Sequence, residues 1–375
     1  MMQKAKQHRW LNGWVILLLS AVTLAAVGVG VLWLVRAMRE PDVYKPTGMI
    51  NQVFPVQKNE EENIHVKEPG TSALLPGAKW VPQTFNNCGP ATTSMILQYF
   101  GFDVGQNETK AKLRTNPDDT NVFTYEIAEY LRDDFGIESK LFYGGDIALL
   151  KKLVANGFYV VVEDWLHPNE DIGHVTIIRG YDDEQGVFIA DDSYIGVNIT
   201  YPYEQFAKTQ WKAFNYEYLP VYRPGSEALL RAIVGDVWDE TIMREKAVRI
   251  ARNEIAQNEN DMYAWFNLGT NLYALGDYAG AKQAFERSQS IGWPRRMLWY
   301  QIQPIQTYNE LGEYDTAIKY ANIALLSNDS FAEAHLEKAI AYKGLGNREK
   351  AREEANRAVF FYPEFSKAKD FLAAL

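Results

Sequence analysis

Gln83-Thr84-Phe85-Asn86-Asn87-Cys88-Gly89-Pro90-Ala91 contains the only cysteine in 375 residues. Asn86 or Asn87 offers an N-cap and Pro90 fits a first helical turn. A helix is therefore expected to begin here, carry Met95, Ile96, Leu97 and Tyr99, and stop at Gly101. A thiol at that position sits at the positive end of a helix macrodipole, which favours thiolate over thiol. It also lies beside backbone N–H groups that have no intrahelical acceptor. One such N–H can hold the oxygen of a carbonyl under attack by sulfur. Gln83 can supply its side-chain amide as a second donor.

A thiolate nucleophile needs a base, and the base needs an orienting acceptor. His174 opens an apolar run after Gly173, and Asp191 ends the next one, Val187–Ala190, across a turn at Asp182–Gly186. Adjacent antiparallel strands would bring His174 and Asp191 together at one sheet edge. Asp192 is the less favoured orienter, because Asp191 directly ends the apolar run; Asp182 and Asp183 are assigned to the turn. The competing reading of Cys88 is a small buried hydrophobe, which most lone cysteines are. Its company of Gln83, a helix start, Gly89 and a His–Asp pair favours the nucleophile.

Around these residues the pattern gives helices near Tyr125–Asp134 and Asp146–Ala155. Strands follow at Phe158–Trp165, His174–Tyr181 and Val187–Ala190. Helix first and sheet afterwards implies an α+β domain, placed at residues 74–224. Upstream, residues 14–35 form 22 consecutive uncharged, mostly apolar positions, roughly 33 Å as a helix, enough for a bilayer core. A single N-terminal transmembrane helix is expected, with a cleaved signal peptide as the alternative. A short tail (1–13) precedes it and a Pro-rich spacer (36–73) follows. The flanking charge bias is weak; the absence of a second apolar span and the short basic N-terminus favour everything after Arg39 lying outside the cytoplasm.

Downstream, residues 225–375 read as all-α. Gly276-Asp277-Tyr278, Gly312-Glu313-Tyr314 and Gly346-Asn347-Arg348 recur at intervals of 36 and 34. Each triplet follows a Leu and precedes a small residue, Ala281, Ala317 or Ala351, which is the pattern of a 34-residue tetratricopeptide (TPR) repeat. Clear repeats cover about 261–364, a short insertion falls near Gly292-Trp293-Pro294, and a capping helix ends the chain. Tyr263, Asn267, Asn271, Gln301, Tyr308 and His335 are expected on the inner face, where they could recruit a protein partner or substrate.

Net charge of −10 argues against a nucleic-acid partner. One cysteine allows no internal disulfide and no Cys-based zinc site. His167 and His174 flank Glu170 and Asp171, but their spacing matches no standard ligand set. Neither metal nor cofactor is expected.

Gln83–Ala91, Gly173-His174-Val-Thr-Ile-Ile-Arg-Gly-Tyr181 and Ile189-Ala-Asp191 resemble the papain-like peptidases that process double-glycine bacteriocin leaders. Tyr201-Pro-Tyr-Glu-Gln-Phe206 and Trp211 are similar to that family's tail segment. The resemblance implies a papain-like fold with Cys88 as nucleophile, His174 as base and acid, Asp191 as orienter and Gln83 in the oxyanion hole. Two positions depart from the family: Asn87 stands where many relatives carry an acid, and Asp192 stands where Pro would follow the orienter. There is no transporter domain and no Walker-type phosphate loop, so leader processing coupled to export does not carry over. The expectation is a membrane-anchored cysteine peptidase acting on a peptide or protein substrate, with the TPR repeats binding a protein. The rivals are a catalytically idle scaffold and an amidase or transamidase using the same residues.

Overall fold

The computed structural model describes residues 51–52, 64–114, 122–326 and 328–375. The expected membrane span at residues 14–35 lies outside the described residues. Among the described residues no helix is long and apolar enough to cross a membrane.

Two short strands, β1 (Asn51–Gln52) and β2 (Ser72–Leu74), lead to helix α1 (Cys88–Tyr99), which begins at the cysteine. Its residues Gly89–Leu97 are all buried, although three of them carry hydroxyls. Each hydroxyl has an acceptor, as burial requires: Thr93 donates to the Gly89 carbonyl at 2.8 Å, Ser94 to Pro90 at 3.1 Å, and Thr92 to Val175 on the sheet at 3.1 Å. Helices α2 (Gln106–Leu113) and α3 (Thr124–Phe135), strand β3 (Glu138–Ser139) and helix α4 (Ile147–Ala155) follow. Asp146 caps α4 by accepting from the Leu149 N–H at 2.8 Å.

The remaining strands are β4 (Tyr159–Trp165), β5 (Gly173–Asp182), β6 (Val187–Asp192), β7 (Gly196–Pro202) and β8 (Leu219–Tyr222). Helix α5 (Tyr203–Thr209) and a 3₁₀ turn (Trp211–Phe214) precede β8. The sheet runs β1-β2-β5-β4-β8-β3, with β6 on the other edge of β5 and β7 beyond it. All pairs are antiparallel except β1–β2. β4 is buried along its whole length yet includes Glu163 and Asp164.

The helical region comprises α6 (Glu227–Val234), α7 (Glu240–Gln257), α8 (Met262–Ala274), α9 (Tyr278–Ile291), a short α10 (Met297–Tyr300), α11 (Gln303–Glu310), α12 (Tyr314–Leu325), α13 (Ala332–Gly344), α14 (Arg348–Phe361) and α15 (Ser366–Ala373). The recurring glycines have a backbone reason. Gly276, Gly312 and Gly346 stand at φ of +80°, +72° and +77°, the left-handed turn between the paired helices. Ala281, Ala317 and Ala351 are fully buried where those helices meet.

The array docks on the α+β domain. Trp165, Ala213 and Phe214 share one apolar cluster with Phe266, Leu268 and Phe285 of α8 and α9. Around it Lys212 reaches Asp261 at 2.7 Å and Glu254 at 3.0 Å. Residues expected on an open inner face make this contact. Trp165 Nε1 donates to the Tyr263 hydroxyl, Asn267 donates to the Lys212 carbonyl, Asn271 pairs with Asn215, and Gln301 donates to the Ala213 carbonyl. Tyr308 is stacked on Tyr320 inside the array, and His335 is buried against Glu354. None of the six is the open recruiting residue expected above: four are engaged by the domain in front of the array, and Tyr308 and His335 pack within the array itself.

Candidate active site

Cys88 is half-buried at the start of α1. Asn87 is the N-cap residue, but no side chain caps the helix. Its amide oxygen is taken instead by the Arg114 guanidinium at 2.7 Å, and its amide nitrogen donates to Thr84 at 2.5 Å. The first-turn backbone donors beside the sulfur are therefore not used up by a side chain, which suits an oxyanion site. Gly89 is required by space, since a Cβ would lie 2.8 Å from the Val122 Cβ.

Gln83 is oriented by two bonds to one residue. Its N–H donates to the Ser193 carbonyl at 2.8 Å, and its Oε1 accepts from the Ser193 hydroxyl at 2.8 Å. With the oxygen committed, the amide N–H₂ is the end left to donate into the cleft. Gln106 clamps the approach loop, donating to the Pro82 carbonyl and accepting from Thr84.

His174 and Asp191 are not brought together. The β5–β6 register sets Asp192 opposite Thr176 and Asp191 opposite Ile177. Opposed residues share a face and neighbours alternate, so Asp192 lies on the face of His174 and Thr176 while Asp191 lies on the other. His174 Nε2 is 2.9 Å from Asp192 Oδ2, with both side chains buried. The other carboxylate oxygen accepts from the Tyr194 and Ile195 N–H groups at 2.6 and 2.8 Å. Asp191 forms a buried ion pair with Arg179 at 2.9 Å and accepts from Tyr99 at 2.8 Å, tying the end of α1 to the sheet. The orienting position assigned to Asp191 is thus held by Asp192.

With Nε2 engaged by Asp192, Nδ1 is the ring nitrogen left for another partner, and His174 lines one cleft with Cys88. Burial alone would lower the His174 pKa. The Asp192 carboxylate and its hydrogen bond, joined by Cys88, reverse this and raise it well above the usual imidazole range. On Asp192, burial works upward, but His174 and the two backbone donors prevail and hold the carboxyl below its ordinary value.

Three more groups were missed in the sequence. Asp164 lies directly opposite His174 and accepts from Thr176; burial, foremost, raises its pKa well above normal. Glu163, its neighbour, enters the cleft. The third is the repeat insertion: Arg296, Trp299 and Tyr300 wall a cleft of about 390 Å³ that also holds Gln83, Cys88, Glu163 and His174. Arg296 is fixed by Asp171 at 2.5 Å, and the Tyr300 ring lies where a Cβ on Gly173 would be, 2.5 Å from its Cε1. Paired carboxylates in a buried strand and an odd repeat interval were the available signals. Among the described residues no cluster of three or more His, Cys, Asp or Glu could hold a metal ion.

Residues 74–219 match the Peptidase_C39 like family and residues 262–291 match the tetratricopeptide repeat. The chain carries a Peptidase_C39-like domain followed by a TPR region, a cysteine-peptidase-like fold joined to a protein-binding module. Solved structures with similarity include MamA (residues 41 to the end) from Desulfovibrio magneticus RS-1, at 23% identity, covering 35% of this chain and 73% of that one with a TM-score of 0.33. The first TPR domain of human RPAP3 matches at 18% identity, covering 30% of this chain and 87% of that one with a TM-score of 0.28. No curated protein matches.

Proposed function

We propose that this chain is a cysteine peptidase in which Cys88, His174, Asp192 and Gln83 act together. The reading is carried by one observation, the buried His174–Asp192 pair at 2.9 Å, which lines one cleft with Cys88 at an uncapped helix start. The Cys88 thiolate attacks a peptide carbonyl carbon while the oxyanion is held by a first-turn N–H and the Gln83 amide. The C–N bond breaks as imidazolium His174 gives its proton to the leaving amine. Water then attacks the thioester, returns a proton to His174, and regenerates the thiolate. Asp192 holds the imidazole in register and stabilises its charged form.

The TPR array serves this site as a wall, with its insertion closing one side of the cleft. Residues 14–35 anchor the chain in a membrane, and the residues after Arg39 face away from the cytoplasm; the 22-residue uncharged run supports this. The test is hydrolysis of peptide substrates by the full chain and by Cys88→Ala. Loss of turnover in the folded variant is expected. Unchanged turnover contradicts the reading.

A further inference from the structure

Glu163 stands between two cavities. One is the catalytic cleft. The other, about 370 Å³, lies beneath the TPR array, and the two share Phe123, Glu163 and Tyr300. Glu163 is only 9% exposed, and among the described residues its side chain has no hydrogen bond or ion pair. Its neighbour Glu217 accepts from Thr124, and Arg244 favours its charged form, so it is provided for. Of the cations lining these cavities, Arg296 is paired with Asp171 and Lys367 is exposed, and neither forms an ion pair with Glu163.

An orphaned carboxyl on a central strand is costly, and nothing in the packing calls for it. Burial first, then Glu217, Cys88 and Asp164, all raise its proton affinity. The same negative potential attracts any other cation small enough to arrive. Phe123 and Tyr300 offer aromatic walls suited to an alkyl stem or a guanidinium plane.

We propose that Glu163 receives a cationic side chain, Lys or Arg, of the peptide held across Cys88, making the peptidase selective for a basic residue near the scissile bond. This rests on the peptidase reading, so the experiment has two arms. The full chain and Glu163→Gln are given blocked heptapeptide pools with one position fixed as Lys, Arg, norleucine or Glu. At one position Lys or Arg is expected to exceed norleucine in kcat/KM by about tenfold or more, and that ratio is expected to fall to about one in Glu163→Gln. Absence of a basic preference, or its survival in Glu163→Gln, overturns the inference.

The second arm measures binding of the same pools to Cys88→Ala and to Cys88→Ala/Glu163→Gln by calorimetry. Should no pool be cleaved, the peptidase reading fails alone and binding decides. A Glu163-dependent preference for Lys or Arg supports the inference, and equal affinities overturn it. Thermal melting of each variant checks that differences come from folded protein.

Discussion

At the scale of single residues, two adjacent aspartates take different partners, Asp192 pairing with His174 and Asp191 with Arg179. Asp192→Asn is expected to lower kcat by about 10²–10⁴-fold with little change in melting temperature, because the imidazole loses its orienting charge. Asp191→Asn should do the reverse. It leaves the buried Arg179 without its counter-charge, a loss on the order of 3–5 kcal/mol in stability, while the folded fraction turns over normally. Parallel thermal melts and active-site titrated kinetics separate the two. The pH profile adds a signed test. Asp192 raises the His174 pKa, so the imidazolium persists above about pH 6.5 and is lost as pH rises through the raised value. The alkaline limb of kcat/KM should therefore lie above about 6.5 and move down in Asp192→Asn. Gln83→Ala should cost roughly 10²–10³-fold, and Ser193→Ala less, since it only frees the amide to rotate. Cys88 and His174 could be singled out in the sequence because helix-start and strand-start signals are local, whereas Gln83 stood out through the family resemblance. Asp192 could not, because choosing between neighbours on a strand needs the register, and a slip of one residue reverses every face.

At the scale of elements, the insertion between α9 and α11 couples the two halves. Tyr300 packs edge-on against Trp165 and Phe214 and presses on Gly173, one residue before His174. Gly173→Ala is expected to cost about 1–3 kcal/mol by overpacking and to lower kcat/KM. Combining it with Tyr300→Ala should restore part of both. A double-mutant cycle measures the coupling, and additive effects would show that the ring does not press on the catalytic strand. The sequence showed that an insertion existed, from the 36-residue interval, but not where it went. Repeat periodicity records contacts between neighbouring helices and is silent about what a face meets in another domain. The helix and strand positions were legible for the opposite reason: α4 has its Asp146 cap and apolar spacing written into ten residues.

For the whole molecule, the shared cluster of Trp165, Phe214 and Phe266 joins the array to the Peptidase_C39-like domain. A fragment ending at Pro224 is expected to melt lower than the full chain and to bind a hydrophobic dye, because that cluster is cut open. Equal stability would return the array to the role of a passive spacer. Removing residues 1–35 should release the protein from the carbonate-washed membrane fraction with its peptidase activity intact; continued membrane retention would contradict the anchor. The most direct test of the catalytic reading is intact-protein and peptide mass spectrometry after exposure to a peptidyl acyloxymethyl ketone. The expected result is a single adduct on Cys88, strongly slowed in His174→Ala and Asp192→Asn but not in Asp191→Asn. Labelling that proceeds equally in all four proteins, or peptide hydrolysis that survives Cys88→Ala, would contradict it.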